Sequence, residues 1–279
     1  MHPANLPRSM TRRMLPAILL AAFCIANLPA QAQIPDTVQF DRLTWTEIRS
    51  AVLSGKSTII VPVGGTEQSG PFIAVGKHNV RAAALSDRIA RQLGNALVAP
   101  VIAYVPEGTI YPTSDHMRFP GTISVPTSTF EEVVRSASES FRVHGFRTIV
   151  LLGDHGGYQS SLKHVADMLN DSWSSTTARA LYIGDYYTAG VSGFNQALRA
   201  RGYGGDIGTH ADLNDTSLML AVDPSMVRLN ELRAASKPTA ADGVYGGDPR
   251  KASAELGRIG TDAQVQAAVR EIRQATTKR

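Results

Sequence analysis

Residues 57–78, "STIIVPVGGTEQSGPFIAVGKH", join an apolar run rich in β-branched residues to a glycine-rich loop that carries Glu67, Ser69 and His78. An apolar run of this length, closed by Gly64 and Gly65, is typical of a strand buried on both faces of a sheet. The loop that leaves the strand therefore presents a carboxylate, a hydroxyl and an imidazole at the edge of that sheet.

Similar apolar runs recur along the chain and alternate with segments of helical spacing. They predict further strands at residues 95–104, 147–153 and 179–187, with helical stripes over 85–93, 130–141 and 162–169. Strands that alternate with helices predict an α/β fold, a single three-layer domain in which helices flank a mostly parallel sheet.

The first 32 residues have a different character. Three arginines precede the apolar run "MLPAILLAAFCIANL", and "PAQAQ" follows it with small residues at Ala30 and Ala32. This order predicts a signal peptide cleaved after Ala32, because the apolar run is short for a membrane span. We therefore expect one domain over residues 33–279, exported across the inner membrane to the periplasm and not held in the membrane after cleavage.

Composition excludes several kinds of site in the mature chain. The only cysteine, Cys24, lies in the predicted leader, so neither a disulfide nor a thiolate ligand is expected. Removing the three leader arginines from 28 Lys plus Arg leaves 25, against 24 Asp plus Glu, and the net charge falls from +4 to +1. This balance gives no support to a nucleic-acid partner.

Candidate chemical groups follow the predicted strands. His116 lies after the second strand, Asp154 and His155 follow the third, and "GTHADLNDTSLML" supplies His210, Asp212 and Asp215. Because ligands bind beyond the carboxyl ends of parallel strands, these loops are where a site is expected. Each residue also has a structural explanation: Glu67 or Asp215 as a helix cap, and His116 or His155 as a ring bonded to nearby backbone.

Imidazole and carboxylate without thiol is a ligand set for zinc, iron or manganese with a position left open for water. Such a site polarises a carbonyl group and suits amide hydrolysis. The spacing matches no compact metalloprotease motif, and Gly64 and Gly65 match neither a dinucleotide nor a P-loop fingerprint.

Five ordered blocks, "VPVGGTEQSGPFIAVGKH", "FPGTIS", "LLGDHGGYQSSL", "HADLNDTSLML" and "GVYGGDPRKAS", resemble the motifs of the creatininase family over roughly residues 55–257. The resemblance implies one α/β domain, a binuclear metal centre that hydrolyses C–N bonds in small cyclic or formyl amides, and a homo-oligomer, frequently a hexamer. It also implies that Glu67 and His155 are metal ligands and that His210 moves a proton to the leaving group. His116 stands at the histidine before Phe-Pro-Gly, and Asp215 takes the place of a nearby glutamate.

The sequence departs from the family pattern at three metal positions. Ser69 replaces a histidine ligand, His78 replaces the bridging aspartate, and Gly157 replaces a glutamate ligand. Glycine has no side chain, and one imidazole cannot bridge two cations as an aspartate does. We therefore expect a single ion, zinc in the first place with iron or manganese as alternatives, held by Glu67, His78 and His155 with help from Asp215.

Three functions follow from this set. The first is an exported metal-dependent amidohydrolase of a small amide, lactam or formamide, with His210, Asp215 and His116 as catalytic residues. The second is a periplasmic binding protein on a catalytically degenerate copy of the fold. The third is an iron oxygenase that uses two histidines and one carboxylate.

Overall fold

The computed structural model describes residues 35–277, so the predicted signal peptide lies outside the described chain. Its central sheet has four parallel strands in the order β2-β1-β3-β4, namely β1 (Thr58–Val63), β2 (Ala96–Val98), β3 (Thr148–Gly153) and β4 (Arg179–Tyr182). β1 and β3 pair over their full length, from Thr58 opposite Thr148 to Val63 opposite Gly153. The loops that leave these two strands therefore start side by side.

Helices cover both faces of this sheet, and a short antiparallel pair, β5 (Gly208–His210) and β6 (Tyr245–Gly246), lies outside it. The helices are α1 (Trp45–Leu53), α2 (Lys77–Leu93), α3 (Thr127–Val143), α4 (Gln159–Ser172), α5 (Gly184–Thr188), α6 (Phe194–Arg199), α7 (Leu213–Val222), α8 (Leu229–Ala234) and α9 (Ala254–Thr277). No helix within residues 35–277 combines the length and the apolar character that crossing a bilayer requires.

Alternate residues of the buried strands point to opposite sides, as the pleat requires. Ile59 and Leu151 pack in a core with α1, α3 and α4. Ile60 and Val150 pack in a second core with α2, α5 and α9. The predicted α/β class, a mostly parallel sheet between two helical layers, is confirmed.

Two predicted strands are shorter than the sequence suggested. β2 ends at Val98 because Pro100 has no N–H to donate to the ladder, although Ile102 N–H again donates to the Pro62 carbonyl at 3.0 Å. β4 ends at Tyr182, and α5 begins at Gly184 within the residues predicted as strand. The apolar pattern alone could not separate the strand from this helix start.

A third core lies between α6, α7, α8 and the loop after β1. α9 approaches α7 closely through Gly257 and Gly260, because a Cβ at Gly257 would overlap the Ser217 carbonyl oxygen and one at Gly260 would press on Leu218 and Phe194. This contact matters for the site, since α7 begins at Leu213, three residues after His210.

We expect Gly257→Ala to lower the free energy of unfolding by about 2 kcal/mol or more, because the added methyl meets backbone that cannot move aside. In an open helix the same change would stabilise by roughly 0.5–1 kcal/mol. Gly193→Ala is the control, since its Cβ would meet nothing closer than 3.7 Å. Urea unfolding of both variants tests this, and equal midpoints would contradict the close approach.

Candidate active site

The loops that leave the sheet converge on one cavity of about 560 Å³. Its lining includes the predicted residues His78, His116, His155, His210 and Asp215. Glu67 is fully buried beside them. The structure therefore brings every predicted site residue to one place.

Four of the residues at this place could hold a metal ion. One ligand atom from each of Glu67, Glu107, His116 and His155 lies within 4.8 Å of the others. Glu67 Oε2 and both oxygens of Glu107 are buried and have no hydrogen-bond partner within the described residues. Buried carboxylate oxygens are normally paired or coordinate a cation. Unpaired oxygens that converge in this way fit a divalent cation.

Glu107 is the site residue that sequence reasoning missed. It lies just past the predicted end of the second strand, in a loop expected to reach the site, but none of the family blocks contains it. Its position depends on Gly65, whose φ of +153° brings the backbone so close that a Cβ would lie 2.6 Å from Glu107 Oε1. Position at the sheet edge was the only sequence signal for it.

The two buried glutamates differ in charge. Burial alone would raise the pKa of Glu67, but Lys77 and His78 together hold that pKa well below its usual value. Burial and the neighbouring Glu67 raise the pKa of Glu107 to about 9. Without a cation, Glu67 is therefore ionised at neutral pH and Glu107 carries a proton.

The hydrogen bonds around His116 fix its tautomer. Gln68 Oε1 accepts from the Gly70 N–H at 2.9 Å, and Gln68 Nε2 donates to the Gly243 carbonyl at 3.1 Å, so the orientation of this amide is set by backbone. Gln68 Nε2 also lies 3.1 Å from His116 Nδ1, which must accept. Burial lowers the pKa of His116, so the ring is neutral and its proton sits on Nε2, 3.2 Å from Glu67 Oε2. His116 thus presents a donor to the site and not a lone pair.

His155 lies between the two glutamates. Its Nε2 is 3.5 Å from Glu67 Oε2, and its Nδ1 is 3.5 Å from Glu107 Oε2. Burial lowers the pKa of His155 to about 4, which keeps the ring neutral. The Gly157 N–H contacts Nδ1 only at the long distance of 3.3 Å. A neutral ring between two carboxylates can serve as a ligand.

His78 has a different environment from the one its predicted role requires. Its Nε2 lies 2.8 Å from Glu67 Oε1, and its Nδ1 lies 2.6 Å from Asp154 Oδ2. Both ring nitrogens thus face carboxylate oxygens, and Arg81 also approaches Nδ1, at 3.2 Å. In this geometry His78 lies beside the group of four as a partner of Glu67, and its role as a metal ligand stays a prediction.

Asp215 is likewise paired with neighbouring cations. Its Oδ2 accepts from Lys77 Nζ at 2.8 Å and from the Ala211 N–H at 2.9 Å, and its Oδ1 accepts from Arg81 at 3.1 Å. Burial would raise the pKa of Asp215, but Lys77 and Arg81 hold it well below the usual value. Both of its oxygens therefore accept hydrogen bonds within the protein, and Asp215 lies outside the group of four residues whose ligand atoms converge.

His210 presents an acceptor to the cavity. Its Nε2 lies 2.9 Å from the Gln68 carbonyl oxygen, so Nε2 carries the proton, and its Nδ1 lies 3.7 Å from Glu67 Oε1. Burial and Lys77 lower the pKa of His210 to about 3. The neutral ring can accept a proton at Nδ1, and once protonated it is a strong acid.

Comparison with known proteins identifies the family. The model of the family "Creatininase: Creatinine amidohydrolase" matches residues 41–272. This chain belongs to the creatininase family. Creatinine amidohydrolase of Pseudomonas putida is 29% identical over 199 residues, which cover 68% of this chain and 74% of that protein.

Two further comparisons support membership of the creatininase family. Mycofactocin precursor peptide peptidase of Mycolicibacterium smegmatis is 29% identical over 183 residues, or 62% of this chain and 61% of that one. A crystal structure of creatininase matches with a TM-score of 0.71 and 25% identity over 86% of this chain and 98% of its own. Other matching creatininase structures are described as Mn and as Zn-Zn type. The chain is a hydrolase of this family, with a cluster of glutamates and histidines suited to a metal.

Two positions that depart from the creatininase pattern lie outside the group of four residues that could hold a metal ion. Ser69 Oγ is buried without a hydrogen-bond partner in the described chain, and Gly157 contributes only its N–H. Neither Trp45 nor Trp173 lines the cavity, since Trp45 is 70% exposed on α1 and Trp173 is buried with its Nε1 donating to Glu139. The cavity of this creatininase-family protein is thus lined without tryptophan.

Backbone strain marks two of the site histidines. Within residues 35–277, only Asp115 and Ala211 combine a side chain with a positive φ, at 47° and 52°. Asp115 precedes His116, and Ala211 follows His210. Non-glycine residues are uncommon in this conformation and cluster where a site holds them. Both residues in this conformation are thus neighbours of imidazoles that line the cavity.

Proposed function

We propose that this protein is a metal-dependent hydrolase of a C–N bond in a small amide. One divalent cation, zinc in the first place with manganese or iron as alternatives, would be held by Glu67, Glu107 and His155. The observation that carries the proposal is the set of buried, unpaired oxygens on Glu67 and Glu107. Two carboxylates and one imidazole supply three ligands, the number that catalytic zinc sites with an open position have.

The cation, when bound, would supply Lewis acidity, polarising a carbonyl group and making water a stronger acid. Side chains of the protein would bind and orient the substrate and hold the metal ligands in place. The His116 Nε2–H would donate to the substrate oxygen, because its tautomer is fixed by Gln68. Lys77, fully buried 3.3 Å from Glu67 Oε1, holds that carboxylate ionised and in place.

His210 would transfer the proton. Hydrolysis adds the oxygen of water to the carbonyl carbon and one of its protons to the nitrogen as the C–N bond breaks. The Nδ1 of His210 would take the proton from the attacking water and return it to the leaving nitrogen. The low pKa of this ring favours the second transfer, since its conjugate acid gives up the proton readily.

The two other functions have weaker support in the structure. A binding protein that had lost its chemistry would gain nothing from keeping Glu67 and Glu107 together and unpaired, because a buried carboxylate without a partner is costly. An oxygenase with Glu67, His78 and His155 on one iron would need a lone pair from His78, and both of its ring nitrogens face carboxylates.

The test starts from metal-stripped protein titrated with Zn²⁺ or Mn²⁺ in a calorimeter, followed by a screen of amides, lactams, formamides and short peptides. We expect about one ion per chain and hydrolysis only in the loaded form. Protein that binds no ion, or loaded protein that cleaves nothing in the screen, would argue against the proposal.

His210→Gln sharpens this test. The glutamine amide can still donate to the Gln68 carbonyl but has no nitrogen that accepts a proton. We expect kcat to fall about 10²- to 10⁴-fold while zinc affinity stays unchanged. His144→Gln, at the exposed end of α3, is the control and should keep full activity. An active His210→Gln would remove His210 from proton transfer.

A further inference from the structure

One helical run supplies a whole wall of the cavity. Residues 184–199 continue from α5 through a π-helical turn, Ala189–Gly193, into α6. Four of its side chains line the cavity at intervals of four residues: Tyr187, Val191, Asn195 and Arg199. A regular α-helix would turn such a series by about 40° at each step. The wider π turn offsets this drift and keeps the four on one face.

Asn195 is held with its donors available. Asn214 Nδ2 donates to the Gly190 carbonyl at 3.0 Å and to Asn195 Oδ1 at 2.7 Å. Because the Gly190 carbonyl can only accept, the Asn214 amide is oriented, and Asn195 must present its oxygen to it. Asn195 Nδ2 is then left to the cavity side and makes no hydrogen bond to the described residues.

Arg199 is the unmatched charge of the lining. Its exposed guanidinium makes no ion pair or hydrogen bond with any residue of the described chain, whereas Arg81, the other arginine of the cavity, is paired with Asp154 and Asp215. The remaining lining carboxylate, Asp212, accepts from the Gly208 and Asp215 N–H groups. The three aspartates that line the cavity, Asp154, Asp212 and Asp215, are thus paired, whereas the Arg199 guanidinium is not.

We propose that Asn195 and Arg199 bind a carboxylate group of the substrate. The substrate class is then a small amide that carries a carboxylate, such as an N-acyl amino acid. A guanidinium matches both oxygens of a carboxylate, and the Asn195 amide adds a neutral donor on the same helix face. This inference rests on the proposed function, which places the scissile amide at the Glu67, Glu107 and His155 end of the same cavity.

Binding to the zinc-loaded His210→Gln variant tests the inference with turnover slowed about 10²- to 10⁴-fold. N-acetylglycine, N-acetyl-β-alanine and N-acetyl-4-aminobutyrate place the carboxylate at increasing distance from the amide, and each has an uncharged carboxamide counterpart. Calorimetry should show at least one of the three acids binding tenfold or more tightly than its carboxamide. If no acid is preferred, the inference is wrong.

Variants assign the preference to the proposed residues. Arg199→Gln removes the charge, and Asn195→Asp keeps an oxygen for Asn214 but replaces the free donors by a second oxygen that repels a carboxylate. Each should lower the affinity for the preferred acid at least tenfold and leave that for the carboxamide within twofold. Arg201→Gln is the matched control, because Arg201 lies just beyond α6, outside the cavity lining, and donates to the Ala197 carbonyl.

The two proposals can fail separately. An acid preference that depends on Arg199, in protein that hydrolyses no amide, would support the carboxylate site and overturn the hydrolase. Hydrolysis of amides with equal efficiency for acid and carboxamide, unchanged in Arg199→Gln, would overturn the carboxylate site and support the hydrolase. Equal losses for acid and carboxamide in Arg199→Gln would also count against the inference.

Discussion

Glu107→Gln should make the metal-free protein more stable and, at the same time, abolish its stabilisation by zinc. Glu107 is 2% exposed and lies beside the ionised Glu67, and burial with that neighbour raises its pKa to about 9. An amide of the same shape cannot ionise, and its NH₂ group can donate to the unpaired Glu67 Oε2. The variant therefore removes both the cost of keeping a buried carboxyl protonated and one of the metal ligands.

The pH dependence of this effect has a definite sign. Between the unfolded pKa of 4.5 and the folded pKa of about 9, the folded chain keeps a proton on Glu107 that the unfolded chain has released. Because of this carboxyl, the free energy of unfolding of the wild type decreases by about 1.4 kcal/mol for each pH unit as pH rises through this range. Metal-free Glu107→Gln should be more stable than wild type by about 3 kcal/mol at pH 7, and by less at pH 5.

Excess zinc should make the wild type more stable than Glu107→Gln. Binding at a thousand times Kd stabilises a folded protein by about 4 kcal/mol, and only wild type keeps the full ligand set. Urea unfolding with EDTA and with Zn²⁺ measures both effects, and Glu231→Gln on the exposed start of α8 is the control. A zinc shift that persists in Glu107→Gln would show that Glu107 is not a ligand.

The fold was predictable because its signals are local. The runs "TIIVPV" and "TIVLLG" are apolar and β-branched without interruption, and the predicted stripes of α2, α3 and α4 recur at helical spacing. The errors arose where one residue interrupts such a run. Pro100 breaks the second strand, and Gly184 starts a helix inside the fourth predicted strand.

The place of the site was predictable as well, but the contacts within it were not. His78 resembled a ligand in sequence because nothing nearby shows that Asp154, in a distant loop, lies 2.6 Å from its Nδ1. The free nitrogen of a histidine depends on such tertiary contacts, and so does the tautomer of His116. Export after Ala32, a periplasmic location and a homo-oligomer stay predictions.

Lys77→Met should be the most destabilising change at the edge of this site. Lys77 is fully buried, with its Nζ 2.8 Å from Asp215 Oδ2 and 3.3 Å from Glu67 Oε1. Methionine fills a similar volume but leaves both carboxylates without this cation. Removing one partner of a buried ion pair costs about 3–5 kcal/mol, because the charge left behind stays desolvated.

Lys163→Met is a matched control for this change. Lys163 Nζ lies 2.7 Å from Asp167 Oδ2, nearly the same separation, but both side chains are more than half exposed, at 62% and 60%. An exposed pair of this kind contributes about 0.5 kcal/mol. Urea unfolding in EDTA should therefore separate the two variants by several kcal/mol, although both lose a Lys–Asp contact of similar length.

A double-mutant cycle identifies the cause of the loss. Asp215→Asn in the Lys77→Met background removes one of the two stranded charges, so the double variant should be more stable than the sum of the single losses predicts, by about 1–3 kcal/mol. Additive losses would mean that Lys77 does not stabilise the core through Asp215. The charge stranded by Lys77→Met would then be that of Glu67, whose Oε1 lies 3.3 Å from Lys77 Nζ and whose pKa Lys77 lowers.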